Sequence, residues 1–117
     1  MTAPLLTGDV VFEGARAFRD ARVRVTLEDV SRTDAASTVV SEVVVDGVSH
    51  DPEAGETLAF SLPGALPDDR ASYTVRVHVD VDRDGLVSRG DYLTMESFPV
   101  LTHGYPNRVT VRVREVV

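Results

Sequence analysis

In the run Ala21-Arg22-Val23-Arg24-Val25-Thr26-Leu27-Glu28, apolar and polar side chains alternate without a break. An extended chain places Val23, Val25 and Leu27 on one face and Arg22, Arg24, Thr26 and Glu28 on the other, giving one buried side and one wet side. A helix would scatter the same valines around its circumference, so the period of two selects strand. Two further segments repeat the pattern: Tyr73, Val75, Val77 and Val79 in one, and Val109, Val111 and Val113 within Asn107 to Glu115 in the other.

Turn chemistry separates about seven such runs. The first lies around Asp9-Val10-Val11-Phe12-Glu13 and ends at Gly14, and the second is Ala21 to Glu28. A third follows near Thr38 to Val45, where Val43-Val44-Val45 suggests burial on both sides or a bulge. The polar stretch Asp46 to Gly55 reads as a turn. A fourth strand covers Glu56 to Leu62, with Leu58, Phe60 and Leu62 inward. The fifth ends in an acidic loop. The sixth, Met95 to Leu101, is expected at an edge because Pro99 cannot donate to a ladder. Helix is limited to a turn or two near Pro67 to Arg70 or Asp91 to Thr94. The expected fold is all-β: one domain over residues 1–117, an antiparallel β-sandwich of about seven strands, Ig-like or transthyretin-like. Its expected core contains Val23, Val25, Leu27, Leu58, Phe60, Val75, Val77, Val109, Val111 and Val113.

Composition narrows the partners. A formal net charge of -7 repels phosphate backbones and argues against nucleic acid. All 12 basic side chains are arginine, and the absence of cysteine excludes disulfides and thiolate chemistry. The opening Met-Thr-Ala-Pro-Leu-Leu has neither a basic n-region nor a long apolar run, so no signal peptide or membrane span is expected. As written the chain reads as cytoplasmic, with a cell-envelope location if a leader has been removed. The proline in the sixth strand discourages self-pairing there and favours a monomer.

The run Asp80-Val-Asp-Arg-Asp-Gly-Leu-Val-Ser-Arg-Gly-Asp91 has the register of an EF-hand calcium loop. Calcium takes six to eight oxygen ligands, and carboxylates at positions 1, 3 and 5 converge on it if the chain then turns sharply. Asp80, Asp82 and Asp84 occupy those positions, and Gly85 at position 6 permits the turn. Leu86 would offer its carbonyl, Ser88 could hold a water, and Asp91 would close the shell. Asp91 is one methylene shorter than the usual Glu, which lowers the expected affinity. The competing reading is an acidic turn that binds nothing, since Asp and Gly are ordinary turn residues.

The dodecapeptide is similar to the calcium loops of dockerin modules, which also tolerate Asp at the last position and carry an apolar residue where Val87 stands. The likeness covers the loop alone, because the segment preceding it alternates as a strand. Over most of the chain, a series of blocks in order resembles another family. These are Ala21 to Val30 continuing through Thr33-Asp34-Ala35, then Phe60-Ser61-Leu62-Pro63, Tyr73-Thr74-Val75-Arg76-Val77 and Phe98-Pro99-Val100-Leu101-Thr102. Together they resemble the YbaY/YscW-like small β-sandwich proteins, a family chiefly of outer-membrane lipoproteins whose YscW branch is a pilotin, a chaperone for a secretion-ring component. The resemblance implies a β-sandwich and a binding or envelope role without catalysis.

Other chemistry is weaker. His50 and His103 fall in expected loops and His78 on the polar face of the fifth strand, with no metal-ligand spacing among them. Ser88 lacks a nucleophile elbow, and Asp68-Asp69 reads as a turn. Arg22, Arg24, Arg76, Arg112 and Arg114 alternate outward and could line a face for an acidic partner. Two functional expectations result. One is a non-enzymatic calcium-binding domain in which the ion orders the loop between the fifth and sixth strands. The other is a YbaY/YscW-like protein-interaction or chaperone module in which the loop is incidental.

Overall fold

The computed structural model describes residues 4–12, 16–32 and 35–117. Eight strands are present in them: β1 (Leu6–Phe12), β2 (Phe18–Asp29), β3 (Thr38–His50), β4 (Leu58–Leu62), β5 (Tyr73–Asp80), β6 (Tyr92–Leu93), β7 (Pro99–Val100) and β8 (Arg108–Glu115). No helix occurs among the described residues, and the Pro67 to Arg70 region is a turn. The Glu13-Gly14 end expected for the first strand lies outside the described residues. Its beginning falls earlier than expected, because Leu6, Gly8, Val10 and Phe12 already alternate inward.

Hydrogen bonding links the strands in one continuous order, β3-β2-β5-β6-β8-β1-β4, with β7 attached to β5 off this path. The result is a nearly closed, barrel-like sheet around one core. The layered order expected from the sequence, antiparallel throughout and Ig-like or transthyretin-like, is not the order these ladders trace. β8 pairs with β6 on one side and with β1 on the other, so it joins what would be separate layers. The β1–β8 pair is parallel, from Thr7 opposite Arg108 to Phe12 opposite Val113. Alternation within a strand specifies its faces and carries no information about a partner so far away in sequence.

Bulges give the sheet its curvature. Between the pairs Val23–Val45 and Ala21–Val48, β3 supplies two residues, Asp46 and Gly47, opposite the single Arg22. Gly47 has φ +70° there, a conformation that glycine takes without a Cβ clash. The Asp-Gly pair is thus a bulge inside a strand, and β3 runs on to His50 where the sequence suggested a turn. A second bulge lies at Val40 and a third on β2 at Arg19-Asp20. Extra residues of this kind bend a strand and increase its twist, which curls the long β2–β3 ribbon toward the other end of the sheet. At the seam the Ser41 hydroxyl donates to the Pro63 carbonyl just beyond β4.

The core contains Val23, Val25, Leu27, Phe60, Val75, Val77, Val111 and Val113 as expected, joined by Leu6, Val10, Phe12, Leu62 and Val79. Leu58 and Val109 are only half-buried, Leu58 because β4 is a terminal strand of the sheet. Gly8 makes close packing possible: a Cβ there would stand 2.3 Å from the Val109 carbonyl oxygen and 2.7 Å from the Phe60 ring. Burial on both sides of Val43-Val44-Val45 does not occur, since Val44 is exposed and its neighbours are half-buried.

The expected Met95 to Leu101 strand is reduced to β7. Its Pro99 lies opposite Thr74 and pairs with β5 alone, as an edge residue. Between β6 and β7 the chain leaves β5, returning where the Phe98 amide donates to Thr74 Oγ1 at 3.0 Å. β6, two residues long, stands where a helical turn near Asp91 to Thr94 was expected.

Candidate functional site

β5 delivers Asp80 opposite Arg22 of β2, and the chain then folds over the end of the barrel before re-entering the sheet at Tyr92. Strands, rather than the helices of a dockerin or EF-hand, flank the loop on both sides. Gly85 takes φ +81° with nothing within 4 Å of a built Cβ, so this glycine is required by its dihedral rather than by space. Its amide donates to Asp80 Oδ2 at 2.8 Å. Asp82 Oδ1 accepts from the Asp84 amide at 3.4 Å, and Asp84 Oδ1 from the Leu86 amide at 2.9 Å. Each aspartate therefore uses one oxygen to hold the next turn of the loop.

Asp91 is the hub. Its Oδ1 accepts from the Val81 amide at 3.1 Å, while Oδ2 accepts from the Ser88 amide at 3.1 Å and meets His78 Nε2 at 2.9 Å. The residue is only 1% exposed. Backbone bonds tie the same region to the C-terminal strand: the Gly90 amide donates to Val116 O at 3.0 Å and the Val116 amide to Asp91 O at 2.8 Å. The Phe18 ring lies tilted against those of Tyr92 and His50, each at 5.6 Å between centroids.

Of the six residues the sequence proposed as ligands, the fold gathers four by side chain. Carboxylate oxygens of Asp80, Asp82, Asp84 and Asp91 lie within 4.8 Å of one another. Leu86 contributes no side-chain donor, and its side chain is 68% exposed. Ser88 is half-buried and turned to Asp91, with its Oγ at 3.4 Å from Oδ2. Crowding moves the carboxyls of Asp80 and Asp82 in opposite directions. Burial pushes the Asp80 carboxyl up, but the hydrogen bond from the Gly85 amide and the nearness of Asp82, His78 and the Asp84 amide outweigh it and leave Asp80 below its ordinary value. Asp82 is raised, by partial loss of solvent and by the closeness of the Asp80 and Asp84 carboxylates.

Sequence reasoning missed His78 as a member of this site. The available signal was its position two residues before Asp80, on the face to which a loop of this length returns. His50 was expected in a loop but is the buried last residue of β3, its ring 4.8 Å from that of Phe12. His103 is exposed in a turn.

The arginine-bearing face is largely matched internally. Arg22 meets Asp46 at 2.7 Å, Arg24 meets Glu42 at 3.4 Å, Arg76 meets Glu28 at 3.5 Å and Arg112 meets Glu96 at 3.3 Å. Bonding to Asp46 and its charge raise the Arg22 pKa further. Beside these ion pairs the outer face also presents apolar side chains. Val39 (53% exposed), Val40 (48%) and Val44 (41%) lie along β3 at the end of the sheet. Val39 and Val44 stand opposite Glu28 and Arg24 on the outward side.

Comparison with known proteins places this architecture. A family model described as type III secretion system lipoprotein chaperone (YscW) matches residues 1–113. A solved structure of an alternative pilotin from the type II secretion system of Vibrio cholerae superposes with a TM-score of 0.75 at 25% sequence identity, covering 96% of each chain. No curated protein matched the sequence. No helix among the described residues is long and apolar enough to cross a membrane. With nearly its whole length matched by the model, the chain belongs to the YscW family of secretion lipoprotein chaperones.

Proposed function

We propose that this protein is a non-catalytic, pilotin-like chaperone that binds a protein component of a secretion ring at the cell envelope. The observation that carries the reading is the end-to-end likeness to a pilotin structure, 96% of each chain at a TM-score of 0.75, together with the family match. The surface that suits a protein partner is the terminal strand β3. Its exposed Val39, Val40 and Val44 are apolar side chains beside unpaired ladder positions, a combination that natural sheets normally cover or charge. An extended or amphipathic segment of the ring component would cover them, gaining apolar burial and edge hydrogen bonds.

Co-expression tests this. The ring component of the secretion system encoded in the same genome is produced with and without this chain, and its soluble, assembled fraction is measured. The chaperone reading expects a severalfold increase that Val39→Asp/Val44→Asp removes. An unchanged fraction contradicts it.

A further inference from the structure

Asp80 holds one oxygen, Oδ1, buried and without a hydrogen-bond partner, in a side chain that is 4% exposed. A buried carboxylate oxygen left in this way is costly, and it persists when a proton or a cation satisfies it. The Asp80 carboxylate belongs to the four-carboxylate cluster gathered within 4.8 Å. Oxygens on opposite sides of a calcium ion are separated by about 5 Å, so one ion can touch all four.

From these two observations we infer that residues 80–91 form a calcium site with Asp80, Asp82, Asp84 and Asp91 as ligands. The donors are hard oxygens, and their negative charge is more than one divalent ion neutralises. Both favour calcium over softer metals. Magnesium demands a tighter, near-octahedral shell and gives up its waters reluctantly, so it competes poorly. His78 Nε2 already contacts Asp91 Oδ2 at 2.9 Å and acts as an orienting partner rather than as a ligand. Arg83, inside the loop, is drawn to Asp20 at 3.4 Å, away from a competing position among the carboxylates. Arg22 stands opposite Asp80 in the sheet but is ion-paired with Asp46.

The ion's effect is structural. It ties the turn after β5 to Asp91, whose backbone is bonded to Val116, and so fastens the loop to the C-terminal strand. That role does not depend on whether β3 docks a partner.

Thermal unfolding of the full chain in calcium and in EDTA tests the site, with amide spectra of residues 80–91 recorded in parallel. Calcium a hundredfold above its dissociation constant should raise the unfolding temperature by on the order of 10 °C. Asp82 and Asp84 are exposed, so Asp82→Asn/Asp84→Asn leaves the fold intact while removing two charged ligands. It should lose most of the calcium-induced rise, and Asp80→Ala should lose it as well. The inference is overturned if about 10 mM calcium moves neither the melting curve nor these resonances. It is also overturned if the double variant keeps the full rise, or if zinc acting through His78 reproduces the effect in that variant.

Discussion

His78 Nε2 lies 2.9 Å from Asp91 Oδ2, so the strand that enters the acidic loop is joined side chain to side chain with the residue that ends it. Asp91 also satisfies the amides of Val81 and Ser88. Loop closure is therefore concentrated on one buried carboxylate.

Removing the two partners should have unequal consequences. His78→Ala takes away one of several bonds to Asp91 and should cost about 1–2 kcal/mol in urea unfolding with EDTA present. Asp91→Ala strands two backbone amides and should cost about 3 kcal/mol or more. Asp91→Glu, which the loop register alone would favour as a longer, bidentate acid, must fit an extra methylene where the native residue is 1% exposed. It should destabilise the chain without calcium. A His78→Ala penalty larger than that of Asp91→Ala would show that the carboxylate is not the hub.

At Gly8 the barrel has no room. Gly8→Ala brings a methyl to 2.3 Å from the Val109 carbonyl and against Phe60, so the parallel β1–β8 pair must shift. A loss of about 2 kcal/mol or more is expected from denaturant unfolding. A neutral result would mean that β1 and β8 are not in the described register.

Core and loop leucines should differ sharply. Leu27 is fully buried, and Leu27→Ala should cost about 2–5 kcal/mol. Leu86 is 68% exposed, and Leu86→Ala should stay within about 0.5 kcal/mol. Comparable losses at the two positions would contradict the assignment of core and surface.

Ser31 controls a carboxyl at the far end of β2. Its hydroxyl and its amide both bond Asp29, holding that carboxyl below its ordinary value. The same hydroxyl oxygen accepts from the Ser72 amide at 3.0 Å. A depressed folded pKa stabilises the native state above the unfolded pKa, and the contribution is lost as pH falls through the folded value, so it fades below about pH 4. Ser31→Ala should raise the Asp29 pKa part of the way back, because the amide bond remains. Carboxyl titration by NMR reads this directly, and an unmoved Asp29 would sink it.

The sequence made β2, β5 and β8 legible because each has one buried face and a clean period of two. β3 was legible only to Val45, since Asp46-Gly47 signals a turn equally well whether the chain reverses or bulges. The short β6 and the parallel β1–β8 pairing are set by partners distant in the chain, which local pattern does not encode. In the loop, alternate aspartates followed by glycine foretold the convergence of four carboxylates. His78 joined them because the loop folds back across β5, and β3's valines stayed outside because their strand lies at the end of the sheet. Both are properties of topology rather than of any local run.

Calorimetric titration of the purified chain with the secretion-ring component measures the central claim most directly. A pilotin-like chaperone should bind with a dissociation constant of about 1 µM or tighter, and Val39→Asp/Val44→Asp should weaken binding at least about tenfold while the melting temperature holds. Absence of binding at about 100 µM, or an affinity indifferent to charges placed on β3, would contradict the account.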